Sequence, residues 1–353
     1  GTQAFYKTPS LTTFTMPEGK VSFGSLCFFR SGLTRLVLKG NAEFDQVYGP
    51  LFRKTNLTEI DATASNLYKT DSNGNLVTKD GKTLVFALNN TSGELSISSE
   101  IETIAPSAFA GTAITSVTFG GKVAIGDYAF YNCPNLTKVT FADEPGTTIG
   151  KYAFTYQLES DTYDDEALAE GTSKLTEVVN LDKAVKVGDY AFSGTAIEND
   201  IVTADGAEYG EGVFFRANGI KKVSLGGDST YGLGAFQRML GLTTVELPDD
   251  GSVTLGTAAF AYDTSLVDIN LGGMKEIAEL AFLGCTKLTT ADLSEAVTIG
   301  RYAFSDCTSL SRITMNKVQT IAEGAFGGNN VGGVAVRSMV LPATLKSIGQ
   351  AAF

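Results

Sequence analysis

The chain has 353 residues, of which 43% are hydrophobic and 19% are charged, a balance typical of folded proteins rather than disordered ones. Its net charge of −12 disfavours binding to nucleic acids or anionic membrane surfaces, because both are negatively charged. Histidine and tryptophan are both absent. The absence of histidine excludes Ser-His-Asp and Cys-His catalytic centres and every zinc site that needs an imidazole ligand.

The ends of the chain show no targeting or anchoring segment. No run of 18 apolar residues predicts a membrane-spanning helix, and the start lacks the basic and apolar regions of a signal peptide. The chain begins with Gly1 rather than methionine, and its last repeat motif stops at Phe353. We therefore expect the native polypeptide to extend beyond at least one end, with any export or anchoring segment outside this sequence.

One motif recurs along the whole chain, and its clearest copy, I-G-R-Y-A-F, spans residues 299–304. Each copy ends in a phenylalanine, here called the anchor; the thirteen anchors are Phe28, Phe52, Phe109, Phe130, Phe154, Phe192, Phe214, Phe236, Phe260, Phe282, Phe304, Phe326 and Phe353. Most anchors are 21 to 24 residues apart, within the range of about 20–29 residues of leucine-rich repeats. We predict a single solenoid of about thirteen repeats over residues 1–353.

Each repeat is predicted to hold one short strand and one helical turn. An L-x-x-V-x-L segment follows most anchors, as in residues 242–247 and 266–271, and its last two apolar positions alternate as in a strand with one buried face. After Ile299, apolar residues recur at helical spacing. The predicted fold is an α/β repeat: a leucine-rich-repeat solenoid with a parallel sheet of short strands on one face and short helical or 3₁₀ turns on the other.

Two small residues accompany the anchor. Glycine occupies the second motif position in nine of the thirteen copies, which indicates a tight turn or a close backbone contact. Alanine precedes the anchor in ten copies, which indicates a crowded interior position. We expect the anchors to stack as a ladder through the interior of the array.

The full pattern, I-G-x-Y-A-F-x-x-C-x-x-L-T-x-V-x-L, is best seen in residues 125–141 and 299–315. It resembles the BspA-like class of bacterial leucine-rich repeats, and the resemblance extends from about Leu11 to Phe353. The resemblance implies an exported or cell-surface protein that acts in adhesion and protein binding. It supplies no catalytic residues.

Between Phe52 and Phe109 the spacing widens to 57 residues. Asn-Gly and Asp-Gly turns at 73–74 and 80–81 separate β-like runs within it, a strong hairpin signal. We predict a β-hairpin insertion near residues 61–100. It is either a structural embellishment, as BspA-like proteins often carry, or a dedicated binding module.

A second wide spacing, between Phe154 and Phe192, holds an acidic loop near residues 156–172. Four of its carboxylates could gather around Ca²⁺, which prefers oxygen ligands; they are Asp161, Asp164, Asp165 and Glu166. Their spacing does not match an EF-hand, and a solvated surface loop is the alternative. We expect no other metal and no cofactor.

The third and fifth positions of the L-x-x-V-x-L strands should face solvent. On four consecutive strands they form a polar surface, here called the strand-face patch, which consists of Glu246, Asp268, Asn270, Asp292 and Arg312. Glu246, Asn270 and Asp292 should stand in one column, about 10 Å from first to last. We predict that this patch, on the expected concave face, binds a partner. Its carboxylates could instead hydrolyse a glycosidic bond, although no deep pocket is indicated.

Tyrosine stands two residues before the anchor in four copies: Tyr128, Tyr152, Tyr190 and Tyr302. Tyrosine is common at interfaces, so these side chains could form a second binding surface. The alternative is that each ring packs along the edge of its repeat.

Four cysteines, Cys27, Cys133, Cys285 and Cys307, occupy positions where other copies have small or apolar residues. We expect all four to be buried core residues. Cys285 and Cys307 should be stacked about 5 Å apart, within disulfide range, but their identical inward orientation argues against a bond.

These observations predict a non-catalytic recognition or adhesion protein at the cell surface or outside the cell, with protein or glycan partners. A structural scaffold that presents other domains or self-assembles is the first alternative, and a carboxylate-based glycan hydrolase is the second. Neither nucleic-acid binding nor membrane insertion is expected.

Overall fold

The repeated sequence elements form two series of short strands in a computed structural model of the chain. The structure describes residues 1–24, 27–47, 51–52, 55–156, 173–328, 333–336 and 339–353. The chain divides into two compact units, Gly1–Leu175 and Thr176–Phe353. Both units are built from the same repeat.

The first unit contains, within its described residues, the strands β1 (Thr13–Thr15), β2 (Gly19–Phe23), β3 (Arg35–Gly40), β4 (Ala42–Val47), β5 (Glu59–Ser65), β6 (Tyr68–Thr70), β7 (Leu76–Thr78), β8 (Thr83–Phe86), β9 (Ser92–Ile97), β10 (Thr103–Ile104), β11 (Ala113–Phe119), β12 (Ala124–Ile125), β13 (Lys138–Thr140) and β14 (Thr147–Ile149). The second contains, within its described residues, a 3₁₀ helix at Leu181–Lys183 and the strands β15 (Glu177–Val179), β16 (Ala184–Val187), β17 (Ile201–Val202), β18 (Glu208–Tyr209), β19 (Lys222–Ser224), β20 (Thr230–Tyr231), β21 (Thr244–Glu246), β22 (Thr254–Leu255), β23 (Asp268–Ile269), β24 (Glu276–Ile277), β25 (Thr290–Leu293), β26 (Thr298–Ile299), β27 (Arg312–Met315), β28 (Thr320–Ile321) and β29 (Ser347–Ile348). In the part of the chain that the structure describes, no helix is long and apolar enough to cross a membrane.

The L-x-x-V-x-L segments form parallel sheets, as predicted. In the first unit they pair as β1-β3-β5 and β9-β11-β13, and in the second as β17-β19-β21-β23 and β25-β27. Their central valines face inward; Val223 and Val245 lie opposite each other and are at most 3% exposed. The sheet of the second unit is therefore a set of short sheets, with a break between β23 and β25.

The start of each anchor motif forms a second series of parallel strands, which was not predicted. This series pairs as β8-β10-β12-β14 in the first unit, and as β16-β18-β20-β22 and β24-β26-β28-β29 in the second. The β-branched residues at these positions favour extended backbone and alternate between partly exposed and buried, as in Thr298 and Ile299. The repeat therefore has two strands, where one strand and one helical turn are predicted.

The rest of the anchor motif forms successive turns instead of the expected helical turn. Ala129 N–H donates to Gly126 O in its own repeat, whereas Phe130 N–H donates to Ala153 O of the next repeat, at 2.8 Å. Tyr128 has a left-handed backbone, with φ of 59°. An α-helix needs right-handed dihedrals and i→i−4 bonds at every residue, so the segment is not α-helical even though its apolar residues point inward.

The anchors stack as an interior ladder. In the first unit the rings of Phe109, Phe130 and Phe154 have centroids 4.9 and 5.1 Å apart. In the second unit, seven consecutive ring pairs from Phe192 to Phe353 have centroids 5.0 to 5.7 Å apart and planes within 12° of parallel. Each repeat thus buries its aromatic ring between the rings of its neighbours, which one repeat alone could not do.

The glycine of the motif permits close approach between the backbones of adjacent repeats. A Cβ at Gly150 would stand 2.5 Å from the Asp127 nitrogen, and one at Gly300 would stand 2.6 Å from the Glu279 nitrogen. Neither glycine has a positive φ. Of the two explanations offered for this glycine, the close contact is the correct one.

The segment for which a hairpin insertion is predicted holds antiparallel strands. β7 pairs antiparallel with both β6 and β8, and β8 continues in parallel with β10. The carboxylate of Asp71 caps the first turn, because its Oδ1 accepts the backbone N–H groups of Asn73 and Asn75 at 2.8 Å. Residues 157–172 of the predicted acidic loop lie outside the described residues.

Candidate functional site

The strand-face patch lies at equivalent positions of successive strands in the second unit. Glu246 ends β21, Asp268 begins β23 with Asn270 just after it, Asp292 lies within β25, and Arg312 begins β27. All five side chains are exposed. The apolar residues that alternate with them are directed inward, because successive side chains of a strand point to opposite faces.

Strand pairing brings part of the patch together. The parallel register of β21 and β23 places Asn270 beside Glu246. The strands that carry Asp292 and Arg312 form a separate two-stranded sheet. The predicted column of Glu246, Asn270 and Asp292 is thus divided between two sheets.

Glu246 is held as an ionised carboxylate. Lys222 Nζ lies 2.6 Å from its Oε1, and Ser224 Oγ donates to its Oε2 at 2.7 Å. The hydrogen bond from Lys222, followed by that from Ser224, lowers the pKa of Glu246. A carboxyl group of lowered pKa is a poor general acid, so this geometry does not favour the glycan-hydrolase alternative.

Two side-chain oxygens of the patch converge above Gly272. A Cβ at this position would stand 3.2 Å from Asn270 Oδ1 and 3.3 Å from Asp292 Oδ2. The backbone holds both side chains in place, since Gly272 N–H donates to Asn270 Oδ1 at 3.0 Å and Ser294 N–H donates to Asp292 Oδ1 at 3.1 Å. The absence of a side chain at Gly272 leaves these oxygens accessible.

Three charges of the patch are available to a partner. Asp268 accepts a hydrogen bond from Thr290 Oγ1 at 2.8 Å, but among the described residues neither Asp268, Asp292 nor Arg312 forms an ion pair. The patch can therefore form new ion pairs and hydrogen bonds with a molecule that approaches this face.

The candidate calcium ligands Asp161, Asp164, Asp165 and Glu166 all lie outside the described residues. Within residues 1–156 and 173–353, apart from the short gaps, no group of three or more acidic or cysteine side chains has an arrangement that could hold a metal ion. The calcium site stays a hypothesis from the sequence.

The tyrosines two residues before the anchors pack across the next repeat. Tyr190 and Tyr302 each donate a phenolic hydrogen bond to a glutamate of that repeat, at 2.5 and 2.8 Å. A Cβ on Gly324 would stand 2.2 Å from the Tyr302 ring. The sequence signal for this packing was a glycine 22 residues after each of these two tyrosines, at positions 212 and 324. Both rings are thus packed, and their hydroxyl groups hydrogen-bonded, without a partner molecule.

The four cysteines are free thiols and are all buried, as expected. Cys307 Sγ donates to Phe282 O at 3.1 Å, and Cys285 Sγ makes the same bond to Phe260 O. Burial is the main cause that raises the pKa of Cys307 to about 12 and that of Cys133 to about 11.

We expect the native protein to resist thiol alkylation. Iodoacetamide at pH 8 should add no label to the folded chain within an hour and four labels in guanidinium, because the thiolate is the reactive form and these thiols are both buried and protonated. Intact-mass spectrometry counts the labels. Label on the folded protein, or a denatured chain that takes four labels only after reduction, would contradict the free and buried state.

Asp263 is a buried acidic residue that was not predicted from the sequence. Asp263 is fully buried at the position that Cys285 and Cys307 occupy in the next two repeats. Its Oδ1 accepts the Met239 N–H at 2.7 Å, and among the described residues its Oδ2 has no partner. Burial raises the pKa of Asp263 well above its usual value. The sequence signal for its burial was its position three residues after Phe260, because the same position is in the core of other repeats.

Comparison with known proteins identifies the repeat. The family profile described as "BspA type Leucine rich repeat region (6 copies)" matches residues 1–73, 85–164, 165–252 and 229–353. Among curated protein sequences, none matches the chain significantly.

Several solved bacterial proteins are similar to this chain, at low sequence identity and low TM-score. A leucine-rich repeat protein from Bacteroides ovatus is 21% identical, with a TM-score of 0.43 over 96% of this chain and 83% of that one. A leucine-rich repeat protein from Eubacterium ventriosum is 18% identical, with a TM-score of 0.31 over 97% of this chain. This chain spans 64% of the length of the Eubacterium protein. A leucine rich cell surface protein from Faecalibacterium prausnitzii is 20% identical, with a TM-score of 0.29 over 72% of this chain and 96% of that one.

Proposed function

Because this chain belongs to the family of BspA-type leucine-rich-repeat proteins, we propose that it acts by recognition rather than catalysis, at the cell surface or outside the cell. At the family level such repeats serve protein binding and adhesion. The strand-face patch is the surface that we assign to this role, and its ligand is a protein or a glycan. One observation carries the assignment: Asp268, Asp292 and Arg312 are exposed on short strands and form no ion pair among the described residues.

The test removes the negative charges of the patch. A screen of extracellular-matrix proteins and glycans first identifies a ligand of the unmodified protein. The triple variant Glu246→Gln, Asp268→Asn, Asp292→Asn should then bind that ligand at least about tenfold more weakly, a loss of about 1.4 kcal/mol. Its melting temperature should change little, because all three side chains are exposed and exposed ion pairs contribute little to stability. Surface plasmon resonance and differential scanning calorimetry give the two readouts.

A matched variant controls for net charge. Glu208→Gln, Glu276→Gln, Glu279→Gln also removes three exposed negative charges from the second unit, but away from the patch. It should bind the ligand as the unmodified protein does. Equal losses in both variants would show that only overall charge matters, and full binding by the patch variant would overturn the assignment. Turnover of any glycan would favour the hydrolase, and self-association without a ligand would favour the scaffold.

A steric variant tests the same patch without changing its charge. Gly272→Ala inserts a methyl group within about 3.3 Å of the Asn270 and Asp292 oxygens, a tight contact that these side chains relieve by moving apart. We expect weaker binding of the ligand with a nearly unchanged melting temperature. Gly227→Ala is the control, because a Cβ there meets only side-chain oxygens away from the patch. Equal binding by both alanine variants would show that the converging oxygens do not contact the ligand.

A further inference from the structure

A second polar surface lies on the turns that follow the anchors, away from the L-x-x-V-x-L strands. Arg216, Arg238 and Tyr262 stand two residues after three successive anchors, and all three have left-handed backbones, with φ of 58°, 60° and 65°. Arg216 N–H donates to Gln237 O at 3.1 Å, and Arg238 N–H donates to Ala261 O at 3.0 Å. These hydrogen bonds hold the three residues in one row across the second unit.

Aromatic rings support both guanidinium groups. Arg238 Cζ lies 5.1 Å from the centroid of the Tyr262 ring, one repeat further along. Arg216 Cζ lies 5.3 Å from the centroid of the Phe215 ring. A guanidinium held over a ring is restrained in orientation, while its N–H donors stay in the plane that a carboxylate approaches. The two arginines are thus ordered before any partner binds.

A third cation completes the row. Lys221 Nζ lies 2.9 Å from the point where a Cβ of Gly241 would stand, so the lysine reaches the turn that carries Arg238. Arg238 and Lys221 are exposed, and among the described residues neither forms an ion pair. This positive surface belongs to a chain whose net charge is −12.

The fold itself does not require these cations. Like charges at adjacent register positions repel each other. In the repeat of Phe130, the position two residues after the anchor holds the uncharged Asn132, with the same left-handed backbone. Anion binding offsets the repulsion, because a carboxylate accepts strong charge-assisted hydrogen bonds from arginine. The row of cations is therefore better explained by the binding of an anionic partner than by the stability of the fold.

We propose that Arg216, Arg238 and Lys221 form a docking ridge for an acidic segment of a protein partner. Apolar contact area beside the charges favours a polypeptide over a purely anionic polymer: Leu240 follows Arg238 by two residues and is 45% exposed. Arginine and tyrosine, both present here, are enriched at the hot spots of protein interfaces. The ridge is separate from the strand-face patch, so each can fail without the other.

The experiment measures binding of a labelled acidic peptide, twelve residues of repeated Asp-Leu-Glu, by fluorescence anisotropy. The unmodified protein should bind it, with affinity that falls as NaCl is raised from 50 to 300 mM, since salt screens exposed charges. The variant Arg216→Asn, Arg238→Asn should bind at least about tenfold more weakly. Asparagine tolerates the left-handed backbone, so the variant should melt within a few degrees of the unmodified protein.

Two controls make the result decisive. Lys186→Gln, Arg301→Gln removes the same number of positive charges from cations that already pair with Glu208 and Glu323, and it should leave peptide binding unchanged. The strand-face triple variant should also bind the peptide normally. No binding of the peptide, equal binding by the ridge variant, or stronger binding of heparin at the same ridge would each overturn the proposal; the last would replace the acidic segment by a sulfated glycan.

Discussion

Replacement of Phe260 by alanine is expected to lower the free energy of unfolding by about 3–5 kcal/mol, the cost of truncating a fully buried phenylalanine. The Phe260 side chain has no exposed surface and stacks between Phe236 at 5.0 Å and Phe282 at 5.7 Å. Each stacked pair contributes beyond the buried area alone, so the variant loses two such contacts. Urea denaturation, followed by far-UV circular dichroism, measures the change.

The last rung within residues 1–353 provides the control, in a protein of that length. There Phe353 is 52% exposed and, among the described residues, stacks on Phe326 alone, at 5.4 Å. Phe353→Ala should therefore cost about 1 kcal/mol, since half of the ring is already in water. An interior void should also weaken the coupling between the repeats on either side, which in a linear array broadens the transition. Similar losses at the two positions would show that the ladder does not carry the stability of the second unit.

Replacement of Asp263 by asparagine is expected to stabilise the protein at neutral pH and to remove part of its pH dependence. Burial raises the pKa of Asp263 well above the 3.8 of a solvated aspartate, so the folded state binds the proton more tightly than the unfolded state. The wild-type chain should therefore lose stability as the pH rises above about 3.8, until the pH passes the raised value in the folded state. Asparagine keeps an oxygen for the Met239 N–H and cannot ionise.

Urea titrations between pH 3.5 and 7.5 test this expectation. At pH 7 the Asp263→Asn variant should be more stable than the wild-type protein, because asparagine is uncharged in the core without taking up a proton. The exposed Asp268→Asn variant should parallel the wild-type protein throughout. Cys285 is the titratable group on the adjacent repeat that faces Asp263, and its thiol, also of raised pKa, stays neutral over this range. Parallel curves for Asp263→Asn and the wild-type protein would show that the buried carboxyl does not control the pH dependence.

Much of the repeat could be predicted from the sequence, because the pattern of apolar side chains determines which of them are buried. The spacing of about 22 residues placed Phe260 in an interior ladder and Cys285 in the core, and both are fully buried. The strand-face patch is exposed as expected, since alternation along a strand is a local property. Its role in binding, the calcium ligands of the acidic loop and the single solenoid of about thirteen repeats stay predictions.

The leucine-rich-repeat solenoid fold is the predicted one, but the structure does not show the predicted helical turns. Ala303, Cys307 and Leu310 do point inward at helical spacing, but the backbone between them contains the left-handed residue Asp306 and forms hydrogen bonds to the next repeat. Periodicity reports only the direction of the side chains. It cannot distinguish a helix from a series of turns that presents the same side chains, because that choice depends on carbonyl groups about 22 residues away.

The sequence by itself determined the family, the length of the repeat and the identity of its interior rungs, because these follow from apolar residues that recur at a fixed interval. Only the tertiary structure decided which charges are satisfied. Among the residues that the structure describes, Glu246 forms an ion pair with Lys222 and Asp263 forms none, although both are single carboxylates in adjacent repeats. The reason is that the ionisation of a carboxyl group depends on its burial and on its partners in neighbouring repeats. Neither can be predicted from the residues next to it along the chain.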